Sequence, residues 1–195
     1  MYSAVVLAAG QSRRMGRPKM TLSWGNTTVI GRVLQALESG GVDNVLIVTG
    51  AARVEVEKAV SGFGVRTVFN PFYAEAEMIK TLQVGISALN DEYEAALVVL
   101  GDQPQLRPKV VRGILDTYQE SQAALIVPSF EMQRGHPWLL GRTYWPEILS
   151  LPSSETLRDF LNRHAAEIHY LIVNSKSVLQ DLDTPEDYQH YRPKS

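Results

Sequence analysis

Residues Ala4-Val5-Val6-Leu7-Ala8-Ala9-Gly10-Gln11-Ser12-Arg13-Arg14-Met15-Gly16-Arg17-Pro18-Lys19 decide how the chain reads. An apolar run, Ala4–Leu7, passes directly into a loop that holds two glycines and four cations. A continuous apolar run of this length reads as a strand buried on both faces. No Asp or Glu precedes Glu38, whereas Arg13, Arg14, Arg17, Lys19 and Arg32 all do. A cationic, glycine-bearing loop at a strand end suits an anionic, phosphate-bearing ligand. Free backbone N–H groups and cations converge there with no carboxylate to repel the guest. An ordinary βα loop with surface arginines would look the same, so both readings stand. The spacing excludes two phosphate motifs. Five residues separate Gly10 from Gly16 and Lys19 comes three later, which is not the Walker pattern; no G-x-G-x-x-G occurs either.

Outward from that loop, strand and helix alternate. Thr28–Glu38 has helical apolar spacing and stops at Gly40-Gly41. Strands are expected at Asn44–Thr49, Val65–Phe69, Ala95–Leu100 and Ala124–Val127, with helices at Arg53–Val60, Met78–Leu89 and Lys109–Tyr118. Repeated βα units imply an α/β fold with a mostly parallel sheet and helices on both faces. The rhythm breaks after Pro128, where Gly135-His136-Pro137-Trp138 is turn-rich. Beyond it a helix is expected at Ser154–Arg163, a strand at Ile168–Val173 and a helix start at Thr184-Pro185-Glu186-Asp187. We therefore expect a single domain over 1–195, with a βα core over 1–128 and further, C-terminal elements over 129–195.

Composition narrows the partners. The net charge is −2, and the basic character is confined to the first loop, so a small anion fits better than nucleic acid or a membrane surface. The absence of cysteine excludes disulfides and thiolate metal sites, and suits a cytoplasmic protein. No stretch has the length of a membrane span and no secretory leader is expected.

In open parallel sheets ligands sit beyond the carboxyl ends of the strands. Four segments fall there: Gly10–Lys19, Asn70-Pro71, Gly101-Asp102-Gln103-Pro104 and Gln180-Asp181-Leu182-Asp183. Asp102 reads either as a turn residue before Pro104 or as a metal ligand. Asp183 reads either as a residue outside a helix start or as a second ligand. Together, opposite a cationic loop, they suggest Mg²⁺ bridging to phosphates. His136, in a turn, is the histidine placed to serve a site.

The stretch Leu7-Ala8-Ala9-Gly10-x-Ser12-x-Arg14-Met15-Gly16-x-Pro18-Lys19 resembles the signature of the nucleotidyltransferases. With Gly101-Asp102-Gln103-Pro104, Arg134-Gly135-His136-Pro137 and the segment Asp181–Asp187, it is most similar to the molybdenum cofactor cytidylyltransferase (MocA) family, relatives of MobA. The resemblance implies a Rossmann-like three-layer α/β/α nucleotidyltransferase fold, with a nucleotide-binding core over 1–128 and acceptor-side and C-terminal elements over 129–195. It implies transfer from CTP to a molybdopterin-type cofactor, with pyrophosphate released and Mg²⁺ as cofactor, and a molybdenum hydroxylase as a downstream partner. Leu7, Ala8, Ala9, Gly10, Ser12, Arg14, Lys19, Asn70, Thr81 and Asp102 would hold the nucleotide, with Arg14, Lys19 and Asp102 catalytic. Asp102 and Asp183 would hold the metal; Lys80, His136 and Arg158 would face the acceptor. The Ala8-Ala9 pair resembles the cytidylyl branch, since guanylyl relatives tend to carry glycines there. Two stretches depart from the family: Glu77-Met78-Ile79-Lys80-Thr81-Leu82 and Ser153-Ser154-Glu155-Thr156-Leu157-Arg158. They motivate alternatives: another acceptor such as a sugar or polyol phosphate, GTP in place of CTP, or a non-catalytic accessory protein that binds molybdenum cofactor.

Overall fold

The computed structural model describes residues 1–75 and 78–193. Glu77, the first residue of one departure named above, lies outside the described residues. In chain order the regular elements are β1 (Tyr2–Ala8), β2 (Ser23–Trp24), β3 (Thr27–Thr28), α1 (Val29–Ser39), β4 (Val45–Thr49), α2 (Arg53–Val60), β5 (Arg66–Phe69), α3 (Met78–Ser87) and β6 (Ala95–Leu100). They continue with α4 (Pro108–Ser121), β7 (Leu125–Phe130), β8 (Gln133–Arg134), β9 (Trp138–Gly141), α5 (Trp145–Ser150), α6 (Leu157–Arg163), β10 (His169–Ile172) and α7 (Pro185–Tyr191).

The main sheet runs β10-β7-β9-β6-β1-β4-β5, with β8 attached to β7. β5, β4, β1 and β6 are mutually parallel, and β10 is parallel to β7. β9 is antiparallel to both β6 and β7, so those two point the same way. Six of the eight strands therefore share one direction, and the sheet is the mostly parallel one expected. Strand alternation produces the three layers. Ala4, Val6 and Ala8 of β1 face a core made with α1, α2 and α4, while Val5 and Leu7 face one made with α3, α5 and α6. β1 and β6 are buried on both sides, which is why they read as unbroken apolar runs. Among the described residues no helix is long and apolar enough to cross a membrane.

The second half departs from the sequence expectation in several places, including the short helix α5 at Trp145-Pro146, where only a break is expected. β7 does not stop at Val127 but runs through Pro128 to Phe130. Pro128 falls in the gap between its two antiparallel ladders: β9 pairs as far as Ile126 and β8 begins at Ser129. The proline's missing donor therefore breaks neither of them. The β7–β8 hairpin turns on Glu131 (φ 49°) and Met132 (φ 63°), a left-handed pair without the usual Gly or Asn. β9 was not expected at all; four residues between Pro137 and Arg142 give too short a pattern. The helix expected from Ser154 starts at Leu157 instead, because Thr156 and Asp159 form a reciprocal capping box.

Behind α6 sits a cluster of ionisable side chains. His164 Nδ1 lies 2.8 Å from Glu167 and its Nε2 lies 2.8 Å from Glu147. Carboxylates on both ring nitrogens are satisfied together only by the doubly protonated ring. Burial alone would lower the His164 pKa, but the hydrogen bonds and charges of Glu167 and Glu147 outweigh it and raise it. A raised pKa contributes stability that is complete below about pH 6.5 and fades as pH rises through the folded value. The melting-temperature gap between wild type and His164→Gln should therefore be larger at pH 6 than at pH 8.5. A gap independent of pH would refute the charged-ring arrangement.

Candidate active site

The first loop is held open by its own backbone. Ser12 (φ 50°) and Gly16 (φ 65°) are left-handed and flank the short 3₁₀ turn Arg13–Met15. Ser12 Oγ accepts the Lys19 N–H at 3.1 Å, which folds the loop back on itself. Gln11 Nε2 donates to the carbonyls of Tyr73 and Ala74 at 3.2 Å each, which fixes its outer side. Met15 is buried with Leu22, Trp24, Val29, Leu182 and Tyr188, so the loop packs directly on the C-terminal segment. Beneath it, Leu7, Ala8 and Ala9 are buried while Gly10 is exposed. A Cβ on Gly50 would come within 2.4 Å of the Ala9 carbonyl, so only glycine permits that approach. A side cavity of about 340 Å³ opens against Gly10, Ser12, Arg17 and Ala51.

Opposite the loop, β6 ends at Leu100 and delivers Asp102. The Leu182 N–H donates to the Asp102 carbonyl at 3.0 Å, which brings the C-terminal strap alongside. Asp102, Asp181 and Asp183 each place a carboxylate oxygen within 4.8 Å of the others. Lys19 Nζ lies between them, paired with Asp102 and, at 3.2 Å, with Asp183. Arg14 meets the other oxygen of Asp183 at 2.9 Å. Burial would depress the Lys19 pKa, but Asp102 and Asp183 outweigh it and keep the ammonium charged. Burial, then the charge of Asp102, pushes Asp181 above the ordinary carboxylate range. Three hard oxygen donors at this spacing suit a divalent cation such as Mg²⁺ or Mn²⁺. The sequence reading named Asp102 and Asp183 and missed Asp181. Its signal was the Asp-x-Asp spacing, which puts alternate side chains of an extended segment on one side.

The remaining expected nucleotide residues are bonded to each other. Asn70 and Thr81 are both buried, and Asn70 Nδ2 donates to Thr81 Oγ1 at 3.1 Å. Asn70 Oδ1 also accepts the Phe72 N–H at 2.9 Å, so this pair ties the β5–α3 connection together.

A larger cleft of about 1070 Å³ lies along the same sheet edge, lined by Met78, Arg134, His136, Trp138, Arg158 and Tyr170 among others. β7 and β6 point the same way with β9 between them. The start of β9, preceded by His136, is therefore set between Asp102 and the cleft. Strap residue Val178 joins the two: its carbonyl accepts from His136 N–H at 2.9 Å and from Gln103 Nε2 at 3.5 Å. The His136 ring stacks on Trp138, 4.4 Å between centroids, and its Nε2 is buried with no hydrogen-bond partner among the described residues. Burial holds that ring neutral, with a pKa lowered to about 4. Arg158 lies on the exposed face of α6, and Lys80, half-buried on α3, is not among the described lining residues.

A mostly parallel α/β/α sandwich, whose cationic first loop faces carboxylates across the strand ends, defines a nucleotidyltransferase. The chain belongs to the MobA-like NTP transferase domain family, whose model matches residues 4–168, and it is an enzyme of that class. It is 25% identical over 187 residues to the molybdenum cofactor cytidylyltransferase of Escherichia coli, covering 94% of this chain and 92% of that protein. It is 27% identical over 136 residues to the bifunctional protein GlmU of Francisella tularensis, covering 68% of this chain but 29% of GlmU. Among solved structures it resembles Rv0371c of Mycobacterium tuberculosis, with a TM-score of 0.85, 28% identity, and 97% and 96% of the two chains covered. That protein has also been solved in complex with manganese.

Lys19 is the counter-charge of the carboxylates, and its side chain is 12% exposed. Lys19→Met should lower stability by about 3 kcal/mol, since it leaves the largely buried Asp102 carboxylate without its ion-pair partner, while Asp183 keeps Arg14. It should also enlarge the melting-temperature rise produced by Mn²⁺, because the cation then replaces Lys19 without competition. A metal-induced shift equal to that of wild type would contradict a shared site for Lys19 and metal.

Proposed function

We propose that the protein is a Mg²⁺-dependent cytidylyltransferase that moves CMP from CTP to a phosphate-bearing, molybdopterin-type acceptor and releases pyrophosphate. The observation that carries this reading is the convergence of Asp102, Asp181 and Asp183 on Lys19 at the mouth of the central strand. In such a transfer the acceptor phosphate attacks the α-phosphate in line, and the protein's work is positioning and charge stabilisation. The exposed backbone at Gly10 and the Ser12–Gly16 turn would receive the triphosphate. Lys19 and Arg14 would then exchange part of their pairing with the carboxylates for pairing with the phosphates. Asp102, Asp181 and Asp183 would hold the divalent ion, which supplies charge neutralisation on the transferring group. The resemblance of Ala8-Ala9 to the cytidylyl branch favours CTP, and the methyl groups of this buried pair fill space that two glycines would leave open.

The cleft beside His136 would take the acceptor, and the match to the E. coli cytidylyltransferase over nearly its whole length favours a molybdopterin-type compound. A molybdenum hydroxylase would receive the product. A sugar or polyol phosphate is the second reading of the acceptor, favoured by the Ser153 hydroxyl on the cleft wall.

A pyrophosphate-release assay over CTP, GTP, ATP and UTP, with molybdopterin and sugar phosphates as acceptors, separates these readings. CTP with molybdopterin should turn over fastest. Asp102→Ala should lose on the order of a hundredfold or more in rate while keeping its circular dichroism spectrum. Undiminished turnover in that variant would remove the metal assignment. A thermal-shift panel of the four nucleotides, with and without Mg²⁺, should show the largest stabilisation by CTP with metal.

A further inference from the structure

We infer that Arg134 is the residue that grips the acceptor by its phosphate, a specificity-determining contact in the cleft; this rests on the acceptor reading above. Arg134 lies on β8 opposite buried Ser129 of β7, and both line the cleft. Its guanidinium is fixed by two neutral partners. Nε donates to the Tyr170 hydroxyl at 2.9 Å, and Nη1 donates to Asn162 Oδ1 at 2.8 Å. Its Cζ also lies 5.9 Å from the Tyr170 ring centroid. These contacts hold the fork in place and neutralise none of its charge.

Among the described residues Arg13 and Arg17 of the first loop also have no carboxylate partner, but they line the side cavity and not the cleft; the other arginines near the two sites differ. Arg14 pairs with Asp183, and Arg163 pairs with Glu147 and Glu155. Glu155 is the one acid among the described lining residues, and Arg163 engages it. Among the described residues, no carboxylate forms an ion pair with Arg134. Arg158 also lines the cleft, but among the described residues no hydrogen bond fixes its guanidinium, which is exposed on α6. His136 cannot supply a cation, because burial keeps it neutral.

A fixed guanidinium that has no carboxylate partner among the described residues, on the wall of a cleft also lined by Ile79, Leu157 and Leu161, favours an anion. Arginine carries five N–H donors in a planar fork. The two bonds named above leave three of them for a guest. That geometry matches phosphate oxygens, which can be bound two at a time. The stacked His136–Trp138 pair gives the same cleft a flat, uncharged wall. Together they fit a guest with one planar ring system and one phosphate.

The test is binding without turnover. Two probes are titrated calorimetrically into the protein without nucleotide: a pterin bearing a phosphate monoester on its side chain, and the same pterin dephosphorylated. Wild type should prefer the phosphorylated probe by roughly ten- to a hundredfold. Arg134→Gln should abolish that preference while leaving the dephosphorylated probe's affinity and the CTP–Mg²⁺ thermal shift unchanged. Arg134→Lys, which keeps the charge but not the fork, should retain only part of it. Tyr170→Phe leaves Arg134 in place but unsupported, and should lower the preference several-fold. It also tests the inference should Arg134→Gln fail to fold. A preference that persists in Arg134→Gln, or survives undiminished in Tyr170→Phe, overturns the role of Arg134 alone. Failure of the phosphorylated probe to bind wild type overturns the acceptor reading and this inference with it.

Discussion

Three carboxylates within 4.8 Å of one another repel strongly unless a cation stands among them, and Lys19 is that cation. It comes from the first loop, Asp102 from the central strand, and Asp181 and Asp183 from the C-terminal strap. The cluster therefore exists only when residues more than 160 positions apart have docked. Two contacts secure the docking without charge: the Leu182 N–H on the Asp102 carbonyl, and the burial of Met15 with Leu182 and Tyr188. The capping box of Thr184 and Asp187 then starts α7 immediately after Asp183, and Asp187 accepts the Asp183 N–H at 3.1 Å. Apolar packing and backbone hydrogen bonds thus hold the acids together, and Lys19 makes their proximity tolerable.

The same strap reaches the second half of the site. Val178 takes hydrogen bonds from the backbone of His136 and the side chain of Gln103, next to Asp102. Gly135 is forced by the same approach, since a Cβ there would lie 2.5 Å from the Val178 carbonyl. The strap therefore sets the spacing between the carboxylates and the cleft. Insertion of β9 between β6 and β7 has a related effect. It reverses direction once and then again, so β7 and β10 present their carboxyl ends on the same edge as β1 and β6. One sheet edge then carries both the cationic first loop and a large cleft.

Much of this was legible in residues alone. The apolar runs of β1 and β6, the helical spacing of α1 and the cap of α7 all follow local rules of burial and capping. β9 and the β7–β8 hairpin did not, for opposite reasons. β9 is too short to show a period, and the hairpin uses Glu131 and Met132 where turn chemistry favours Gly or Asn. The helix boundary at Leu157 was legible: of Ser153, Ser154 and Thr156, only Thr156 has an acid three residues on, Asp159, the spacing of a capping box.

By itself the sequence determined the α/β class, the cationic first loop and the presence of carboxylates at strand ends. These depend on the order of apolar and charged residues along one short segment at a time. Only the tertiary structure decided which groups meet: that Asp181 joins Asp102 and Asp183, that Asn70 and Thr81 bond each other, and that Arg134 has neutral partners. Pairing is a property of distance in space. A residue's charge is written in the chain, but whether that charge is neutralised depends on what folding brings beside it.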